Sequence, residues 1–138
     1  MKPELVKNWM TREVISIAPD ALLPEVGQLM ANKHIRHLPV VDHDQLVGIV
    51  TWGDVREAEP SPAELLEEWE LDYILTKVKI RQIMTRKPLT INQDATIVEA
   101  ASLMLSQKIG GLPVVDDAGK VVGIFTESDM LRTVAEMQ

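Results

Sequence analysis

The feature that most restricts how this chain folds is an internal repeat. Offset by 74 residues, Met10-Thr11-Arg12 falls on Met84-Thr85-Arg86, Asp20-Ala21 on Asp94-Ala95, and Leu38-Pro39-Val40-Val41-Asp42 on Leu112-Pro113-Val114-Val115-Asp116. Beyond that the offset becomes 75, pairing Val47-Gly48-Ile49 with Val122-Gly123-Ile124, Thr51 with Thr126 and Asp54 with Asp129. The extra residue falls between His43-Asp44-Gln45 and Asp117-Ala118-Gly119-Lys120, where polar residues separate two β-branched runs, as in a hairpin turn. Duplication on this scale means a unit that cannot bury its apolar face alone, so the two copies are expected to pack around a pseudo-twofold axis.

Each copy reads as strand, helix, strand, strand, helix. Asp20 and Asp94 are placed as N-caps of the first helices, in which Leu23, Val26, Gly27 and Met30 match Ile97, Ala100, Ala101 and Met104 at core-facing spacing. Pro24 lies in the first turn, where proline is better tolerated than in a helix interior but can delay the helix start by a few residues. Leu38 to Val41 and Leu112 to Val115 read as buried strands, each followed by a turn and a second strand, Leu46 to Val50 and Val121 to Phe125. The last helices open near Thr51 and Thr126. Between the copies, Glu59-Pro60-Ser61-Pro62 breaks the chain. Ser61 with Glu64 forms a capping-box pattern with Pro62 at the first helical position, followed by Leu65, Leu66, Trp69, Tyr73, Ile74 and Val78 at helical spacing. That helix is expected as a connector packed on the module, with a partner surface at Trp69 and Tyr73 as the other reading.

Composition narrows the chemistry. Without cysteine there are no disulfides, thiol nucleophiles or thiolate zinc sites. No signal-peptide core opens the chain and no apolar run reaches membrane-spanning length, so a cytoplasmic protein with no membrane partner is expected. A net charge of −7 with no basic patch argues against a nucleic-acid partner. Neither a P-loop lysine, a Gly-x-Ser-x-Gly elbow nor a paired acid and base is present, which argues against an enzyme. His34, His37 and His43 lack the spacing of a metal site, although His34 and His37 are expected near the end of a helix on one face.

Ligand chemistry is suggested by Thr51-Trp52-Gly53-Asp54 and Thr126-Glu127-Ser128-Asp129, each following a strand and opening a helix. Free N–H groups at a helix start suit a phosphate, and an ionised aspartate accepts hydrogen bonds from both vicinal hydroxyls of a ribose. Either copy alone reads as a capping box. Its repetition, each time after a Leu-Pro-Val-Val-Asp strand and a Gly-Ile pair, goes beyond what capping requires.

These residues, with the Met-Thr pairs ahead of the first strands, make nearly the whole chain resemble the cystathionine beta-synthase (CBS) domain family, whose paired copies form Bateman modules. The resemblance implies an α+β fold of tandem CBS domains packed as one module, with the first at 1–58, a helical connector at 59–78 and the second at 79–138. It also implies two clefts bordered by both copies. AMP, ADP, ATP or S-adenosylmethionine are the family's usual ligands, and no catalytic cofactor or metal is expected. One cleft is expected to join Thr11, Ser16, Ile17, Ile35, Arg36 and His37 to Ile124, Thr126 and Asp129. The other joins Thr85, Thr90, Ile91, Ile109, Gly110 and Gly111 to Ile49, Thr51 and Asp54. Arg36-His37 favours the Asp129 cleft for a phosphorylated ligand, whereas Gly110-Gly111 offers only close backbone approach. The resulting expectation is a regulatory sensor that forms a homodimer or reports to another protein; a ligand-free dimerisation module is the alternative.

Overall fold

The computed structural model describes residues 4–60 and 66–137. Two three-stranded sheets, five α-helices and two short 3-10 helices, Val6–Asn8 and Ile80–Gln82, make up its regular structure among these residues. The first repeat supplies α1 (Leu23–Lys33), β1 (His37–Asp42), β2 (Gln45–Thr51) and α2 (Trp52–Ala58). A helix α3 (Glu68–Lys77) and a two-residue strand β3 (Thr85–Arg86) follow. The second repeat supplies β4 (Ile91–Asn92), α4 (Ile97–Gln107), β5 (Gly111–Val115), β6 (Val121–Thr126) and α5 (Glu127–Glu136).

The hairpins carry the expected buried strands. β1 and β2 pair antiparallel from His37↔Thr51 to Asp42↔Gln45, leaving His43 and Asp44 as a two-residue loop with φ of 49° and 64°. A positive φ at both loop positions matches the right-handed twist of the flanking strands. β5 and β6 pair in the same way, but their loop is longer and held by the Asp116 side chain, which accepts hydrogen bonds from the N–H groups of Ala118 and Lys120. Gly119 takes the left-handed conformation there at φ 84°, so the extra residue lies in this turn.

Several expectations change. Asp20 and Asp94 are not caps: α1 begins after Leu22, and α4 after Thr96, whose hydroxyl accepts from Glu99 N–H at 3.1 Å. Both helices start two residues beyond the position those caps would set, with or without a proline, because the aspartates sit in the preceding turns and pair with cations. Asp94 binds Lys7 at 2.9 Å, and Asp20 binds Lys79 and Arg81. The first strand shrinks to β4 in the second repeat and to a single bridge, Ile17 with Val40, in the first. His34 ends α1 in the left-handed conformation while His37 opens β1, so the two do not share a helix face. The Ser61–Glu64 capping box lies outside the described residues; α3 starts after Glu67, whose N–H is capped by Glu70.

The chain divides into two compact units, one formed by the described residues of Met1–Val14 and Pro88–Gln138, the other by those of Ile15–Lys87. Repeat boundaries and compact units therefore differ, because each repeat's leading segment folds into the other repeat's unit. Val6 N–H bonds to Ala95 C=O at 2.8 Å just as Ile80 N–H bonds to Ala21 C=O at 2.8 Å, and Val6 and Ile80 are both fully buried. Each contributes roughly 1.5–3 kcal/mol of apolar burial to the unit it enters. Met10 and Met84 seat this exchange. A Cβ on Gly123 would lie 2.5 Å from the Met10 sulfur and 2.9 Å from Thr11 C=O, and on Gly48 the same distances from Met84 and Thr85. Glycine is what lets that backbone close on the hairpin. One core gathers around Phe125, Leu112, Val6 and Met104, the other around Leu38, Val50, Met30 and Ile80.

Candidate functional site

The Thr-x-x-Asp pairs sit at corresponding hinges of the two units, where the last strand of each hairpin turns into a helix. An extended backbone at Thr51 (φ −108°, ψ 162°) and Thr126 (φ −121°, ψ 175°) turns the side chain of the following third residue back toward the threonine N–H. In both, one carboxylate oxygen is spent on that N–H: Thr51 N–H donates to Asp54 Oδ2 and Thr126 N–H to Asp129 Oδ2, each at 2.9 Å. To this extent both are helix caps.

The other carboxylate oxygen distinguishes them. Asp129 Oδ1 accepts from the Thr11 hydroxyl at 3.1 Å and from Arg132 at 3.3 Å, and the Thr126 hydroxyl lies 3.3 Å from Oδ2. Asp129 is only 5% exposed, and Arg132 is itself anchored on the Trp9 carbonyl and stacked over the Trp9 ring. At the first repeat, the Thr51 hydroxyl instead accepts from Asp54 N–H at 3.1 Å, completing the reciprocal cap. Asp54 Oδ1 has no hydrogen-bond partner among the described residues. Asp54 is half-buried.

The remaining candidate residues fall into place by unit. In Ile15–Lys87, β1 brings His37 opposite Thr51, and Arg36 C=O accepts from Trp52 N–H at 2.9 Å, so Arg36 borders the Thr51–Asp54 turn. Arg36 is exposed. Ile49 pairs with Thr85 across β2 and β3, while Ser16, Ile17 and Ile35 belong to the same unit. In the other unit, Gly111 pairs with Thr126, and Gly110 C=O accepts from Glu127 N–H at 3.0 Å. Thr11 and Ile124 form a reciprocal backbone bridge, and Thr90, Ile91 and Ile109 complete that unit's candidates. Within their own units, Arg36 and His37 adjoin the Thr51–Asp54 cap, and Gly110 and Gly111 adjoin the Thr126–Asp129 cap. The hairpin register decides this, and no motif announces it.

Two features escaped the sequence reading. Arg132 contacts the Asp129 carboxylate, and the i, i+3 spacing on α5 was the available signal. Beside each hinge lies a surface groove: Met104, Leu105, Ile109, Glu127, Met130 and Leu131 line one, and Met30, Ala31, His34, Ile35, Arg36 and Trp52 the other. Among the described residues no group of three metal-ligating side chains forms, and no helix is long and apolar enough to cross a membrane.

A family model described as CBS domain matches residues 6–61 and 80–136. A CBS domain-containing protein of Dictyostelium discoideum is 39% identical over 130 residues, covering 92% of this chain and 88% of that protein. An uncharacterized protein of Methanocaldococcus jannaschii is 36% identical over 124 residues, 90% of this chain; the match spans only 37% of that longer protein. Among solved structures, CBSX2 in complex with AMP superposes with a TM-score of 0.79 at 28% identity, covering 96% of this chain and 97% of that one. CBSX2 comes from Arabidopsis thaliana. The CBS domain pair of protein MJ0100, solved with 5-methylthioadenosine and S-adenosyl-L-methionine, gives a TM-score of 0.79 at 31% identity, covering 97% and 98% of the two chains.

Proposed function

The chain belongs to the CBS-domain family, of which it carries two copies, and from that membership we propose that it is a non-catalytic regulatory module sensing an adenosine-containing small molecule. Support comes from the two similar pairs, solved with AMP and with 5-methylthioadenosine and S-adenosyl-L-methionine, and from one observation in particular. Both hinges hold an aspartate by a single oxygen, and at Asp129 the second oxygen already receives a threonine hydroxyl. A ribose hydroxyl is the same donor in a similar place.

The two hinges divide the work. Asp54, whose Oδ1 has no partner among the described residues and whose helix begins at Trp52, bonded to the Arg36 carbonyl, takes the ribose of a phosphorylated ligand, and the Arg36 side chain meets the phosphate. Thr51, Ser16, Ile17, Ile35, His37, Ile49 and Thr85 are its accompanying candidates. Asp129 requires a ligand hydroxyl to displace Thr11 or Arg132 before it binds, and its neighbours Gly110 and Gly111 add no charge. It therefore suits an uncharged adenosine compound more than a nucleotide, with Thr126, Ile124, Thr90, Ile91 and Ile109 around it. Occupancy alters the hinge hydrogen bonds, and that change is the regulatory signal.

Isothermal titration with AMP, ATP and S-adenosylmethionine tests the reading. Saturable binding of a nucleotide is expected, weakened by about 1.5–3 kcal/mol in Asp54→Ala through loss of a charge-assisted hydrogen bond. Arg36→Ala should weaken AMP but not adenosine. Absence of binding by every adenosine compound overturns the sensor and leaves a structural dimerisation module. That second reading has its own support: Leu105, Leu131 and Val134 on α4 and α5 are 79%, 70% and 63% exposed, an apolar face suited to a second copy. Sedimentation of Leu131→Lys beside the parent chain tests the homodimer.

A further inference from the structure

The outward face of the helix α3 has a definite arrangement. At 100° per residue, Glu70, Ile74 and Val78 follow one stripe; all three are half-buried, and Ile74 and Val78 pack on the core of their unit. No α3 residue is fully buried. The opposite arc carries Leu71 and Leu75 along one edge and Trp69 and Tyr73 along the other, with Glu68 and Asp72 running between them. Each pair is spaced i, i+4, so each makes a continuous rail. Trp69 is 71% exposed, Tyr73 52%, Leu75 48% and Leu71 41%, an unusual load of apolar surface for one short helix. Among the described residues neither Glu68 nor Asp72 is ion-paired.

Charge identifies what fits on this arc. Seven of the chain's 21 acidic residues lie between Glu57 and Asp72, and no lysine or arginine interrupts them; the other 14 acids balance the 14 basic residues elsewhere. The whole net charge of −7 thus resides in this segment. A second copy of α3 would bring like charges together at Glu68 and Asp72, and an anionic lipid surface would be repelled. A cationic side chain, by contrast, meets a carboxylate in the centre of the arc and an aromatic face at its edge, where Trp and Tyr attract ammonium and guanidinium groups.

We propose that the outward face of α3 is a docking surface for a basic, aliphatic-bearing segment of another protein, with Lys or Arg on Glu68 and Asp72, stacked against Trp69 and Tyr73, and apolar side chains on Leu71 and Leu75. This gives the module a receiver distinct from its ligand hinges, and it holds whether or not a nucleotide binds.

The test titrates the full chain into a fluorescently labelled synthetic helical peptide built of lysine, arginine and leucine, read by anisotropy at low and moderate salt. Saturable, salt-weakened binding is expected. Trp69→Ala with Tyr73→Ala, and separately Glu68→Lys with Asp72→Lys, should each weaken it at least about tenfold. All four side chains are exposed, so circular dichroism should show the fold retained. An analogue with glutamate in place of every lysine and arginine should not bind. The proposal is overturned if the basic peptide fails to bind, if both double variants bind within about twofold of the parent, or if Trp69→Ala instead dissolves a self-associated form of the chain.

Discussion

The two hinges began as copies of one another and now treat the same aspartate in opposite ways. At Thr51 the carboxylate and hydroxyl cap each other reciprocally, and one oxygen of a half-buried Asp54 has no partner among the described residues. At Thr126 the carboxylate is drawn inside, 5% exposed, and loaded with hydroxyl and guanidinium donors. The lesson is that an identical local motif specifies a cap, while what the cap is available for depends on the segment laid over it. Thr11 reaches Asp129, whereas Thr85, its counterpart, makes no side-chain hydrogen bond among the described residues. The outer faces diverge in parallel: Leu105 and Leu131 in the second repeat stand where Ala31 and Arg56 stand in the first.

The contrast can be broken by mutation. Asp129→Ala should cost about 3 kcal/mol, because Thr126 N–H and two hydroxyls lose their acceptor in a buried setting. Asp54→Ala should cost only about 1 kcal/mol, the loss of a cap; urea unfolding midpoints measure both, and equal costs would erase the distinction. Gly123→Ala and Gly48→Ala should each destabilise by roughly 2 kcal/mol through overpacking against Thr11 and Thr85 carbonyls, detected as lowered thermal midpoints. A similar loss in both would show the segment exchange to be equally tight. Thr11→Ala should cost about 1 kcal/mol and Thr85→Ala close to nothing in the same assay. The same Thr11→Ala change frees Asp129 Oδ1 of one donor, so adenosine affinity at that hinge should rise, as titration would reveal.

Much of the fold was legible in advance because its signals are short-range. The β-branched runs, the turn where a residue is inserted and the threonines that open α2 and α5 all depend on neighbours a few positions away. The misplaced caps at Asp20 and Asp94 were legible only in part, since a turn aspartate and a capping aspartate look alike until Lys7, Lys79 and Arg81 are seen beside them. Of the hinges, the two Thr-x-x-Asp caps were legible because they are local, whereas the Thr11 hydrogen bond to Asp129 was not, because it depends on a segment far away in the chain.

By itself the sequence determined that there are two equivalent α+β repeats, each with a hairpin, a closing helix and an aspartate at the hinge. Tertiary structure alone decided that each repeat's leading segment serves the other's unit, and hence which aspartate is covered and which is open. The reason is range: the Thr11–Asp129 hydrogen bond joins residues 118 positions apart, and no local preference of either end encodes a partner at that distance.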